Sequence, residues 1–107
     1  MSAHLLTVSA IRADSLSKGH HWFSRDTMRF FRSRVLRGVF ASWDGRYFFV
    51  SSEQRGFRPE DGRGYTVRAY DPNTGGVETV GEFNGYSTPH AARKAAREAA
   101  AAAPAPK

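Results

Sequence analysis

The chain has 107 residues and a mass of 11.9 kDa, and its 16 Lys and Arg against 10 Asp and Glu give a formal charge of +6 and a pI near 10.3. A chain of this length supports one modest core, since folding buries roughly 60–70% of the unfolded surface, so large two-lobed enzyme folds are excluded. The absence of cysteine excludes disulfides and Cys-ligated zinc. A mean hydropathy of −0.54 without a long apolar run excludes a membrane-spanning helix and, without a basic leader, leads us to expect an intracellular protein.

The N-terminal residues 1–19 leave two alternatives open. Apolar and polar side chains alternate over residues 6–10, which is typical of an edge strand. Residues 14–19 are mostly polar and end in glycine, which is typical of a mobile arm. The folded domain itself is predicted over residues 20–101.

The first firm element is a short helix over about residues 25–33. The Ser24 hydroxyl can cap it, and Asp26 lies in the first turn, where the helix dipole favours a carboxylate. Phe23 and Met28 stand at the two positions of a hydrophobic staple. These signals predict the start of the helix.

A β-hairpin follows the helix. Residues 35–40 are β-rich, and Asp44-Gly45 is a two-residue turn signal because both positions favour positive φ. Residues 46–51 supply the returning strand. Glu53 to Gly64 mixes glycines with charges of both signs and shows no periodicity, so we predict a long loop there.

A second hairpin is predicted from the alternation over residues 65–70. Tyr65, Val67 and Ala69 fall on one strand face, and Thr66, Arg68 and Tyr70 on the other. The turn Asp71 to Gly75 places proline second and glycine at the exit. Residues 77–83 then return as the last strand.

The C-terminal helix begins at Thr88-Pro89, with threonine as the cap and proline at the first helical position. Its apolar stripe consists of alanines at helical spacing, Ala91, Ala92, Ala95, Ala96 and Ala99. Residues 102–107 are predicted to be a disordered tail. The fold class that we predict is α+β: an antiparallel sheet of four or five strands with a short N-terminal helix and the alanine-rich helix packed on it.

The inventory of reactive side chains argues against catalysis. The histidines are scattered, and the adjacent His20 and His21 point apart in an extended chain, so they do not form a chelating pair. Asp44, Asp61 and Asp71 each lie beside glycine or proline, where turn geometry accounts for them. We therefore predict no enzyme activity, no cofactor and no metal site.

Basic residues are the more informative feature. They form three groups in the sequence, Arg25, Arg29 and Arg32 in the first helix, Arg55, Arg58 and Arg63 in the long loop, and Arg93, Lys94 and Arg97 in the last helix. Arginine-rich faces attract polyanions, and the planar guanidinium suits phosphate. Each group could equally be a solvated face. Arg68 and Tyr70 likewise leave two alternatives, an exposed surface that stacks on bases or a second core layer.

The C-terminal half resembles the Apetala-type DNA-binding domain and the related arm-binding domain of phage integrases. The resemblance lies in residues 65–75 (Tyr-Thr-Val-Arg-Ala-Tyr-Asp-Pro-Asn-Thr-Gly) and in Gly81-Glu82-Phe83 before the capped helix. Pro89-His90 departs from the family pattern, which has an acidic residue at the helix start. The resemblance implies that the sheet enters the major groove with Arg46, Arg68 and Tyr70.

A broader resemblance covers nearly the whole chain. Residues 21–35, with 47–52 and 81–83, resemble small uncharacterised proteins encoded by actinobacterial phages. This resemblance implies a phage accessory role in the cytoplasm of an infected bacterial host, without implying a mechanism.

Our leading hypothesis is a non-enzymatic protein that binds nucleic acid, DNA over RNA, and no membrane. The residues predicted to bind nucleic acid are Arg25, Arg29, Arg32, Arg46, Arg68, Tyr70, Arg93, Lys94 and Arg97. The alternative is a protein-binding module that targets a host bacterial protein, with Trp22, Trp43 and Phe57 as anchors.

Overall fold

A computed structural model describes residues 6–30, 32–56 and 58–102 of the chain. The elements in chain order are helix α1 (Val8–Ser17), helix α2 (Arg25–Phe30), strands β1 (Arg34–Val35), β2 (Phe40–Ala41), β3 (Tyr47–Gln54), β4 (Arg63–Asp71) and β5 (Gly76–Val80), and helix α3 (Pro89–Ala102). All pairings in the sheet are antiparallel, with β3 and β4 at its centre. The predicted α+β class is confirmed. No helix in the described part of the chain is long and apolar enough to cross a membrane.

Helix α3 covers one face of the sheet. Its start is as predicted, since Thr88 Oγ1 accepts a hydrogen bond from Ala91 N at 3.2 Å. The buried alanines Ala92, Ala96 and Ala100 pack against large side chains of β3 and β4, among them Phe48 and Val67. Because an alanine stripe contributes little apolar surface of its own, the aromatic residues of the sheet carry this core.

Helix α1 covers part of the opposite face, so both alternatives for the N-terminal residues are wrong over 8–17. Thr7 caps the helix by accepting from Ala10 N at 3.1 Å. Its buried residues are Ile11, against Phe23 and Phe49, and Ser15, whose hydroxyl donates to the Gly75 carbonyl at 2.7 Å. The sequence pattern did not reveal the helical period of α1, because one of its two buried positions is a serine.

Several boundaries differ from the predicted ones where the backbone turns. Helix α2 ends at Phe30, and Arg32 leaves it in the left-handed conformation with φ 51°. Gly38, with φ 115°, separates β1 from β2 within the single strand that was predicted. Strand β5 ends at Val80 because Gly81 takes φ 81°. The first hairpin turns with only Gly45 at positive φ, not with both predicted positions.

The predicted long loop is shorter than expected. Strand β3 continues through Glu53 to Gln54, and β4 already begins at Arg63, so the connection covers residues 55–62 with a 3-10 turn at Pro59–Asp61. The second hairpin turn forms as predicted, with Gly75 N donating to the Asp71 carbonyl at 2.7 Å. Ala102 belongs to α3, and the rest of the predicted tail lies outside the described residues.

Candidate nucleic-acid interface

Arginines from all three sequence groups, and from β1, meet at the end of the sheet where β3 finishes and α3 begins. They line two adjoining depressions of about 450 and 270 Å³, and Arg34 and Arg63 line both. We call this surface the cationic groove and define it by Arg25, Arg29, Arg32, Arg34, Arg63 and Arg93. The folded chain therefore brings together guanidinium groups that are far apart in the sequence.

Helix α2 and the turn after it position one wall of the groove. Ser24 caps the helix as predicted, with its hydroxyl accepting from Thr27 N at 3.3 Å. Arg25 and Arg29 are one turn apart and exposed. The left-handed turn at Arg32 closes with Ser33 N donating to the Met28 carbonyl at 2.7 Å, as at many helix C-termini.

Arg63 is the fixed guanidinium of the opposite wall. Its Nε donates to Ser52 Oγ at 2.8 Å, and its NH2 nitrogen donates to the carbonyls of Ser52 at 2.7 Å and Arg32 at 2.6 Å. Arg34 lies beside it, because Arg34 pairs with Ser52 in the sheet register. Partial burial, followed by the Arg34 charge, lowers the pKa of Arg63. The positive charges of Arg34 and Arg63 thus repel each other, and binding of an anion would reduce this repulsion.

No arginine of the cationic groove forms an ion pair within the described part of the chain, although the charge of the buried Glu53 partly opposes the lowering of the Arg63 pKa. The ion pairs there are Lys18–Asp14, Arg46–Asp44 and Arg68–Glu53, none of which includes a groove arginine. The groove arginines are exposed or half-buried. Their charge is therefore available to a ligand.

Five predicted binding residues lie outside the groove, and three of them, Arg46, Arg97 and Lys94, are at least partly exposed. Arg46 forms an ion pair with Asp44 at 2.8 Å, and its guanidinium lies 5.0 Å from the centre of the Phe48 ring. Arg97 lies 5.4 Å from the ring centre of Phe40. Lys94 is exposed on α3 without lining either depression. Arg58 of the loop group is exposed as well, whereas Arg55 lines a neighbouring cavity.

Arg68 and Tyr70 form a second core layer, which decides between the two alternatives for them. Arg68 is 7% exposed and Tyr70 is fully buried, with the Tyr70 hydroxyl donating to Asp14 at 2.5 Å. Arg68 and Tyr70 therefore do not form an exposed sheet face that could enter the major groove of DNA. Helix α1, which the sequence pattern did not predict, packs against Tyr70. The rings of Trp22 and Phe83 lie over the Arg68 guanidinium.

The partner of Arg68 is Glu53, which the sequence analysis placed in a loop. Glu53 is fully buried and accepts from Arg68 at 3.3 Å and from the Thr66 hydroxyl at 3.0 Å. Arg68 also donates to the hydroxyls of Ser51 at 2.9 Å and Thr79 at 2.5 Å. Burial lowers the pKa of Arg68, and Glu53 opposes that shift. The available signal was the continuation of strand alternation past Ser52, which would have placed Glu53 on the Arg68 face.

The remaining candidates are dispersed. His20, His21 and His90 are all exposed, and His4 lies outside the described residues. Within the described ranges, no group of three or more His, Asp or Glu side chains is arranged to hold a metal ion. Of the predicted protein-binding anchors, Trp22 is half-buried against Phe23 and Phe49, Trp43 is 69% exposed, and Phe57 is outside the described residues.

Comparison with known proteins places the chain in a family without assigning it an activity. No curated protein and no solved structure matches it. A family model does match, over residues 7–97, from the cap of α1 to the middle of α3. Because this match covers most of the chain, the protein belongs to a family of unknown function, DUF7447.

Proposed function

We propose that the protein binds nucleic acid, DNA in preference to RNA, through the cationic groove. The observation that carries the proposal is the juxtaposition of Arg34 and Arg63 between α2 and the start of α3, where neither forms an ion pair with a carboxylate of the described residues. Like charges held this close disfavour the free protein and favour an anionic ligand. A chain of formal charge +6 also attracts polyanions over longer distances.

The geometry of the arginines suits a phosphate backbone. A guanidinium presents a planar fork of N–H donors that matches two phosphate oxygens. Arg63 uses Nε and one terminal nitrogen on the protein, which leaves its other terminal nitrogen for a ligand. Arginines on both walls can then contact successive phosphates of one strand.

The test is the salt dependence of binding to short duplexes of DNA and of RNA. We expect affinity for DNA to fall steeply with salt, and the double variant Arg34→Gln/Arg63→Gln to reduce the log–log slope by up to about two. Lys94→Gln is the matched control, because it removes an exposed charge of α3 outside the groove. Its slope should change by much less than that of the double variant.

Two outcomes would overturn the proposal. One is the absence of binding to either nucleic acid at low salt. The other is an equal loss in Lys94→Gln and in each single groove variant, since this would indicate a diffuse charge effect without a site.

The resemblance to actinobacterial phage proteins suggests the setting of this activity. We propose a non-enzymatic accessory role in the cytoplasm of an infected bacterial host. The charge of the groove suits the nucleic acid that is present there during infection.

A host-protein partner is the second candidate, and Trp43 favours it. This side chain is 69% exposed at the tip of the first hairpin and lines a depression of about 610 Å³ with Phe40 and Arg97. Exposed tryptophans often anchor protein interfaces. Stoichiometric capture of one host protein from a nuclease-treated lysate, lost in Trp43→Ala, would support this candidate. Capture that is unchanged in Trp43→Ala would reject it.

A further inference from the structure

A second cavity adjoins the cationic groove and differs from it in chemistry. It has a volume of about 310 Å³, at the lower end of the range for ligand pockets. Arg32 and Gln54 line both the cavity and the groove, so the two are continuous. Phe30 and Phe83 are its aromatic lining residues.

Both phenylalanine side chains are partly exposed to solvent. Phe30 is 78% exposed and Phe83 is 45% exposed. Phe83 is also held in place, since the buried Arg68 guanidinium lies 5.6 Å from its ring centre and 5.2 Å from that of Trp22. The Arg68–Glu53 pair thus fixes the position of an aromatic ring at the surface.

The polar residues of the cavity suit the edge of a base and the phosphates next to it. The Gln54 side chain carries both amide donors and a carbonyl acceptor, so it can pair with a base edge. Arg55 and Arg32 supply positive charge at the cavity. Arg55 is oriented by a hydrogen bond of 3.4 Å from its guanidinium to the Tyr86 carbonyl.

We infer that this cavity binds an unstacked nucleobase, and therefore that the preferred ligand of the cationic groove is single-stranded nucleic acid. The inference rests on the proposed function and specifies its ligand. Single-strand binding proteins combine a positively charged track for the backbone with aromatic side chains on which bases stack. A base in an intact duplex is stacked and paired, so it cannot enter a cavity of this kind without being flipped out.

The test compares three DNA ligands of equal length, about twelve nucleotides. They are a single strand, a single strand whose central nucleotides are abasic, and a duplex of the same sequence. The abasic strand keeps the phosphates and removes the bases. We expect the single strand to bind most tightly, and both other ligands to bind about tenfold or more weakly.

The variants are Phe30→Ala and Phe83→Leu, with Trp43→Ala as the matched control. Phe30 is a surface residue, and leucine at position 83 keeps an apolar cover over Arg68 while removing the ring. Each variant should weaken binding of the intact single strand by about fivefold or more, with little change for the abasic strand and the duplex. Trp43→Ala removes an exposed ring at the other end of β3 and should change none of the three affinities.

The outcomes separate this inference from the proposed function. Equal affinities for the intact and abasic strands, or no effect of either phenylalanine variant on the intact strand, would overturn the base cavity while leaving groove binding in place. Failure of the unaltered protein to bind any of the three ligands at low salt would overturn the proposed function itself.

Discussion

Arg63 and Arg68 lie on the same strand, five residues apart, and have opposite environments. Arg68 faces the side of the sheet that α1 covers, where Glu53 and two hydroxyls surround it. Arg63 faces the α3 side at the end of the sheet, where it donates to two carbonyls and a serine hydroxyl and where the charge of Arg34 lowers its pKa while that of Glu53 opposes the shift. One arginine is neutralised by the fold, and the other remains available for a ligand.

The comparison shows why counting basic residues in a sequence does not locate a binding surface. A buried guanidinium requires a carboxylate because desolvation of an unpaired charge is costly. A guanidinium at the surface has no such requirement, and without a carboxylate its field extends into solvent. A hydrogen-bonded ion pair with a buried acid distinguishes Arg68, the structural arginine, from the proposed binding arginines.

The largest effect is expected from Glu53→Gln, which removes the negative partner of Arg68. It should lower the free energy of unfolding by about 3–5 kcal/mol, because it leaves a buried charge without compensation. Replacing both residues, in Glu53→Met/Arg68→Met, should recover most of that loss, since apolar pairs often replace buried ion pairs without penalty. Urea denaturation measures both variants.

The same double variant tests whether Arg68 binds phosphate. Provided that it is folded, its salt slope for duplex DNA should equal that of the unaltered protein. A slope reduced by about one would instead indicate that Arg68 contacts a phosphate. It would contradict the proposed difference between Arg68 and Arg63.

A smaller effect, of opposite sign on stability, is expected from Arg32→Gly. Arg32 takes φ 51°, which glycine adopts without the steric cost of a Cβ, so the free energy of unfolding should rise by about 1 kcal/mol. Affinity for nucleic acid should fall, because a groove charge is lost. Arg32→Gln is the control, since it removes the charge and keeps the strain. Thermal unfolding together with the salt titration would show whether strain is retained at the binding surface.

The smallest effect concerns acid pH and the hydrogen bond that joins α1 to Tyr70 of β4. The hydrogen bond from Lys18, followed by that from the Tyr70 hydroxyl, lowers the pKa of Asp14 below its ordinary 3.8. A carboxyl with a depressed folded pKa stabilises the protein above the unfolded pKa, and this contribution is lost as pH falls through the folded value. Because Asp14 is only half-buried and is screened by solvent, we expect a loss below about 1 kcal/mol, beginning near pH 4.

The control for this prediction is Asp14→Asn, in which the unfolding free energy should depend less on pH between about 2 and 5. Hydrogen exchange of α1 amides would locate the change. A loss of protection confined to α2 would contradict the assignment, because Asp14 and Tyr70 join α1 to β4.

Local signals were sufficient for several parts of the fold. The start of α3 at Thr88-Pro89, the turn at Asp71 to Gly75 and the face alternation of β4 each depend on residues within a few positions of one another. The alanine stripe likewise predicted the burial of Ala92 and Ala96, although Ala91 at its start is exposed. The Ser24 cap placed the start of α2 correctly for the same reason.

Reasoning from neighbouring residues predicted only part of the candidate site. Arg25, Arg29, Arg32 and Arg93 were predicted binding residues that lie in the groove, whereas Arg34 and Arg63 gained their importance only from the register of the sheet. The Phe30 and Phe83 cavity gave no sequence signal, because the two residues come from α2 and from the segment after β5.

The sequence by itself determined the class of the fold, the caps, the turns and an excess of positive charge, since each of these follows from composition or from neighbouring residues. The tertiary structure alone decided which arginines are neutralised. That choice depends on a carboxylate fifteen residues away in the chain from Arg68 and on the rings of Trp22 and Phe83, which lie over its guanidinium. Coulomb energies depend on the distance between charges in space, and desolvation energies depend on burial. Both the distances and the burial are set only when the strands pair in register.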